Sequence, residues 1–247
     1  MRKQFGLALL LCFGILLKAS PAAAHFRNYV WTQEYKTLPK NTFEIEGHTT
    51  LKVPDGNQTN KNTWQYQGEL EYGITDHWNI AHYQRWKTHN RVGPDDSTVY
   101  EGFKFETKYR IGEKGKFWLD PLLYLEWATD VRAQHRANEF EGILVLSKDW
   151  QKFNVSYNQI LESEIDRGGR TEHKFSVGTN YEFWPDVYGG AEFAGDYWAP
   201  GSHRNGISLG PTVSWENSYF WIACGALFGL NHEANDKEAR VIVGVPF

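Results

Sequence analysis

The last nine residues, Ala239-Arg240-Val241-Ile242-Val243-Gly244-Val245-Pro246-Phe247, carry an apolar side chain at every second position up to a terminal aromatic. Successive side chains of a strand point to opposite faces, so such a run has one apolar face and one of different character. A wall with lipid outside and a lumen inside needs strands of this kind, and the ending reads as the last strand of an outer-membrane β-barrel.

The start of the chain agrees. Met1-Arg2-Lys3 is positive, 7–17 is apolar apart from Gly14, and Ala22-Ala23-Ala24 is a small-residue cleavage site. These are the three parts of a secretory signal peptide, and the apolar run is shorter than the roughly 20 residues a spanning helix needs. Cys12 is badly placed for lipid attachment, because apolar residues follow it. Cleavage after Ala24 leaves Cys224 alone, so no intrachain disulfide is expected in the exported protein. The expected organisation is a signal peptide over 1–24, a periplasmic leader or plug over 25–40 and one barrel domain over 41–247. A mean hydropathy of −0.57 with 16% aromatic residues excludes a bundle of membrane helices but suits a barrel, half of whose strand positions are polar. A net charge of −4 argues against nucleic acid, which calls for a basic face.

Period-two segments predict about twelve strands in an antiparallel, up-and-down transmembrane β-barrel. Phe43/Ile45/Gly47/Thr49/Leu51/Val53 and Phe175/Val177/Thr179/Tyr181/Phe183 are typical outward sets. The third segment, 78–87, fits worst. Simple alternation turns His82 and Gln84 toward lipid, and a bulge within it would repair the register. Connections after even strands are read as short (74–77, 112–116, 148–151, 184–187, 216–218). Those after odd strands are longer and more polar (54–62, 88–98, 130–138, 163–171, 199–204, 231–238). Short periplasmic turns and longer outer loops are the asymmetry of such barrels. Ten of the eleven tryptophans then fall into two belts, Trp78, Trp118, Trp150, Trp184, Trp215 and Trp221 at the short-turn end and Trp64, Trp86, Trp127 and Trp198 at the other. Only Trp31 is left over.

Thr37-Leu38-Pro39-Lys40-Asn41-Thr42-Phe43-Glu44-Ile45-Glu46 and Tyr72-Gly73-Ile74-Thr75-Asp76-His77-Trp78, with the terminal aromatic, resemble small proteobacterial outer-membrane barrels of the uncharacterised transporter type. The resemblance implies a barrel in the outer membrane of a Gram-negative bacterium, in contact with its lipid and lipopolysaccharide. It also implies that Phe247 is read by the barrel-assembly machinery.

Strand parity sends to the lumen Glu44, Glu46, His48 and Lys52, then Gln65, Gln67, Glu69 and Glu71, then Lys104, Glu106, Lys108 and Arg110. Glu126, Glu141, Asn154, Asn158, Glu162, Lys174, Glu182, Glu192, Asp196 and Arg240 follow. The lumen/solute-binding candidates are Glu44, Glu46, Glu69, Glu71, Lys104, Glu106, Lys108, Arg110, Glu182 and Glu192. The four glutamates of the first two strands cluster near the periplasmic end, where they should favour cations or pair with Lys108 and Arg110. The bland alternative is a filled lumen whose charges only satisfy one another. Strands nine to twelve point small residues inward, among them Gly190, Ser208, Gly210, Gly225 and Gly244. That space suits either water and solute or an inserted leader with Phe26, Tyr29, Val30, Trp31 and Tyr35.

The functional expectation is a narrow pore or passive transporter for small, cationic solutes, with a non-transporting structural or adhesive barrel as the alternative. An outer-membrane lipid-modifying enzyme is less favoured. Gly206-Ile207-Ser208-Leu209-Gly210 matches G-x-S-x-G, but that motif works at a strand-to-helix elbow and here lies within a strand pattern. Ser202-His203 are only loop neighbours. His89, His135, His173, His203 and His232 lie in or beside outer loops without ligand spacing, and His25 could chelate copper as a new amino terminus. No metal ligand, cofactor or catalytic residue is assigned.

Overall fold

The computed structural model describes residues 26–58, 61–89, 97–131, 137–165, 171–197 and 205–247. Twelve strands form it: β1 (Phe43–Val53), β2 (Thr63–Thr75), β3 (Trp78–His89), β4 (Thr98–Arg110), β5 (Asp120–Asp130), β6 (Ala137–Trp150), β7 (Phe153–Glu164), β8 (Thr171–Trp184), β9 (Val187–Asp196), β10 (Ile207–Glu216), β11 (Trp221–Gly229) and β12 (Lys237–Pro246). Each pairs antiparallel with its neighbours in sequence, and β1 pairs with β12, so the sheet has no free edge. Closure satisfies every strand's backbone groups, which hydrocarbon could not do. Phe43 and Phe247 complete the seam by exchanging two backbone hydrogen bonds of 3.0 and 2.8 Å, with their rings stacked.

The alternation in sequence becomes two surfaces. In β1 Ile45 is 46% exposed on the outside while Glu44 and Glu46 are 0% and 1% exposed within. Leu70, Phe105, Leu123, Leu125, Leu144, Val213 and Val241 continue the outer apolar band around the barrel. Several turns at one end are minimal. β2–β3, β6–β7 and β8–β9 are joined by two residues each, as the pairs Thr75↔Trp78, Trp150↔Phe153 and Trp184↔Val187 show. Gln151 (φ 53°) and Asp186 (φ 63°) supply a left-handed residue to the β6–β7 and β8–β9 turns.

Three sequence expectations change. The β4–β5 connection, expected to be a short turn over 112–116, runs over 111–119. Gly112 (φ 79°) and Gly115 (φ 80°) bend it, and the Asp120 carboxylate accepts Gly115 N–H at 2.6 Å, which holds the extra residues as a small loop. The bulge expected to turn His82 and Gln84 inward does not do so: the shift lies at Arg85/Trp86, where Glu101 is the extra residue on β4. It keeps Tyr100 outside. His82 and Gln84 stay on the outer face because they satisfy each other, with ring nitrogen and amide 2.7 Å apart, Tyr100 Oη donating to Gln84 at 2.6 Å and the Phe105 ring against His82. Finally, Trp221 does not join the tryptophan belt.

Trp78, Trp118, Trp150, Trp184 and Trp215 are exposed at the short-turn end, and Trp86 and Trp127 toward the other. Trp221 is 0% exposed and points into the lumen. Its parity matches inward Ala223, and Gly244 opposite leaves the room: a Cβ there would come within 2.2 Å of the indole. Trp198 lies outside the described residues, as do 1–25.

Candidate functional site

The interior is the site, and residues 26–42 occupy its short-turn half. The leader leaves β1 at Asn41 (φ 62°), where Thr37 Oγ1 and Lys40 N–H donate to Asp76. It rises to the level of Glu192 and Asn158, then turns back, so that Lys36 Nζ donates to Phe26 O at 3.1 Å. Within the fold-back, Asn28 donates to Glu34 from its backbone N–H (2.7 Å) and its amide (2.6 Å). Its apolar side chains make two small cores with the wall: Phe26 and Val30 with Trp221, Ala223 and Ile242, and Tyr35 with Leu122, Tyr124, Ile143 and Val145.

A buried carboxylate holds the top of the loop. Glu192, 0% exposed, accepts the backbone N–H groups of Val30 (2.8 Å), Trp31 (2.8 Å) and Thr32 (2.7 Å). Three converging donors compensate the burial of this carboxylate. Asn158 exchanges two bonds with Gln33 (2.6 and 2.9 Å), Arg240 donates to Val30 O at 2.7 Å, and Tyr29 Oη donates to Asn154 at 2.8 Å. Burial, together with Glu34 and Glu192, raises the Tyr29 phenol, which therefore stays a neutral donor.

The small-residue wall receives this segment. A Cβ at Gly178 would meet the Tyr29 ring at 2.7 Å, and one at Gly225 would meet Val30 and Trp31 at 2.6 and 2.7 Å. Of the two occupants weighed from sequence, water with solute or the leader, the leader takes this space.

The glutamate ladder lies beside the leader's descending limb. In the β1/β2 register Glu44 opposes Glu71 and Glu46 opposes Glu69, a cross-strand arrangement that repels unless neutralised. Lys108 Nζ stands 2.8 Å from Glu106 and 3.8 Å from Glu71. Trp221 Nε1 donates to Glu44 at 3.1 Å, Asn79 donates to Glu71, and Tyr83 to Glu106. Arg110, expected to share in this pairing, does not: it lies nearer the rim, donates to Asp76 O and covers the Tyr35 ring at 5.4 Å. Arg27 of the leader takes that place, its Nε 3.8 Å from Glu46. Glu182 lies at the short-turn rim, 3.8 Å from Lys152.

Above the leader a cavity of about 330 Å³ opens, lined by Trp31, His48, Tyr83, Lys104, Tyr124 and Arg240 among others. Lys104 is tied to Glu126 at 2.6 Å and Lys174 to Glu162 at 2.9 Å. The chamber therefore presents paired charges and aromatic faces, a surface for small polar molecules.

Sequence reading missed Arg27, Tyr83 and Tyr124. Tyr124 was open to it, sharing parity with Glu126; Arg27 lies in a segment without periodicity and carried no signal. Ser208 lies within continuous β10, and Gly210, its motif glycine, is packed against Ala226 O, so the elbow geometry of a hydrolase nucleophile is absent there. Ser202, His203 and His135 fall outside the described residues, as does the side chain of His89. Among the described residues His173 and His232 join no group of metal-ligating side chains.

A closed barrel of twelve antiparallel strands, apolar outside and charged within, is of the outer-membrane β-barrel fold class. It is similar to an outer membrane channel from Pseudomonas putida F1, with a TM-score of 0.61 over 89% of this chain and 100% of that one at 8% identity. It is also similar to the KdgM porin (TM-score 0.55, 12% identity, 83% of this chain and 99% of that one). The NanC porin is a third such structure (TM-score 0.52, 10% identity, 83% and 98%). At these identities the likeness is one of fold. No family model matches the sequence, and no curated protein does.

Proposed function

We propose that the protein is an outer-membrane pore for small polar solutes, preferring cations, whose lumen the leader throttles from the periplasmic side. The observation carrying this reading is the way residues 26–42 fill the short-turn half of the barrel while a chamber of about 330 Å³ stays open above them. A purely structural barrel has no need of a chamber lined by Lys104, Tyr83 and Tyr124, and the fold shared with channels and porins supports a conducting role. The cation preference rests on Glu44, Glu46, Glu69 and Glu71, which outnumber the fixed positive charges beside them and face the lumen at the level the leader occupies. Phe247, at the closing seam, is proposed as the residue the assembly machinery reads.

Planar-bilayer recording tests the proposal. The chain lacking residues 26–40 should conduct in larger steps than the intact chain, with a reversal potential in a potassium chloride gradient that favours potassium. Replacing the four glutamates by Gln in that form should cancel the preference. Absence of steps from both forms would reject the pore and leave the closed structural barrel, which the filled lower lumen favours.

A further inference from the structure

We propose that Glu46, His48 and Glu69 form a binding site for one divalent transition-metal ion of the zinc class, set in the lumen wall. Glu46 and His48 lie two residues apart on β1 and so share a face, and Glu69 is the cross-strand partner of Glu46 on β2. One ligand atom from each lies within 4.8 Å of the others, and all three residues are buried. His48 Nε2 stands 2.9 Å from Glu46 Oε2 and 3.2 Å from Glu69 Oε2. Ligands around a tetrahedral zinc ion with bonds of ~2.0–2.1 Å are spaced by about 3.3 Å, so little movement is needed to accept one.

Two further observations point to a cation rather than to an idle acidic patch. Glu46 Oε1 and Glu69 Oε1 are sealed from solvent without a hydrogen-bond partner among the described residues, although buried carboxylates are costly when unmatched. Around them, among the described residues, five carboxylates, Glu44, Glu46, Glu69, Glu71 and Glu106, gather about the fixed cations Lys108 and Arg27. A single imidazole N–H shared between two carboxylates does not make up that difference; a doubly charged ion removes most of it. The imidazole selects a transition metal over calcium or magnesium. His48 and Gln67 both line the chamber above the leader, so an ion in the chamber meets the imidazole edge of the site first. Arg27, 3.8 Å from Glu46 Oε1, is the competing cation supplied by the chain itself.

This site stands whether or not the barrel conducts. Purified full-length protein in detergent is titrated with cobalt, read by the visible absorption of tetrahedral Co²⁺, and then with zinc by calorimetry. One ion should bind per chain, with affinity falling in His48→Ala and in Glu69→Gln by at least the about 10- to 100-fold that loss of an outer-shell partner costs a metal site. Glu69→Gln keeps the side chain's shape, so it serves if the histidine variant does not fold. Arg27→Met should tighten binding, because a competitor has gone, and His173→Ala with His232→Ala should leave it unchanged. Binding that is absent from the wild type, that survives both His48→Ala and Glu69→Gln, or that ignores Arg27→Met overturns the site.

Discussion

Glu192 shows how much one side chain can hold. Its two oxygens take three leader N–H groups between them, Oε1 from Val30 and Oε2 from Trp31 and Thr32. In Glu192→Gln one oxygen becomes an amide that donates where a donor already stands, so at least one buried N–H is stranded at a cost of about 1–3 kcal/mol. The barrel's own hydrogen bonds do not involve this carboxylate. The expected outcome is a leader that protease trims readily while the barrel keeps its heat resistance on gels. Equal trimming of variant and wild type would show that the carboxylate does not anchor the segment. Parity alone placed Glu192 in the lumen, but that three backbone donors would converge on it was not legible, because their segment has no repeating pattern to orient it.

The leader and the glycine wall form a matched pair of elements. Small inward residues on β9 to β12 left a space that the sequence could locate, with leader aromatics as one candidate for it, yet the sequence could not choose the occupant and did not include Gly178 of β8 in that wall. The choice is settled by volume: Tyr29 packs onto Gly178, and Val30 with Trp31 onto Gly225. Gly178→Val should therefore overpack this contact by about 1–3 kcal/mol and release the leader without breaking β8. Cross-linking with a short bifunctional thiol reagent between cysteines placed at Gln33 and Asn158, which are joined by hydrogen bonds of 2.6 and 2.9 Å and leave Tyr29 in place, should be efficient in the parent and fall several-fold in the glycine variant. Undiminished cross-linking would mean that the wall tolerates the added methyl groups. Strands themselves were read well because a period of two leaves an unambiguous trace. β3 was the exception, since His82 and Gln84 are polar yet outward, and only their mutual hydrogen bond with Tyr100 overhead makes that tolerable.

At the scale of the molecule, the number of strands and their antiparallel order could be read from alternation, because a membrane wall admits few alternatives, while the β4–β5 connection over 111–119 broke the expected sorting of short turns and long loops. What could not be read was how full the cylinder is. Lumen width depends on tilt and stagger, which leave no mark in one strand's pattern, and a segment without periodicity gives no hint that it is inside. Trp221 was misassigned for a related reason: its position near a turn suggested the belt, and the missing side chain at Gly244 that lets it turn inward lies on another strand.

The contacts that fix the leader join residues 160 to 162 positions apart. Val30 to Thr32 thus have nothing to dock on until β9 has formed, and loop-closure entropy makes such remote pairings late events. During refolding into detergent the chain should gain its sheet signal in circular dichroism first. Fluorescence from a version retaining Trp31 alone should change in a slower second phase, and simultaneous traces would disprove that order. On that order the cylinder closes hollow and is stoppered afterwards, so a newly made molecule passes through a stage with a wider bore than the mature one.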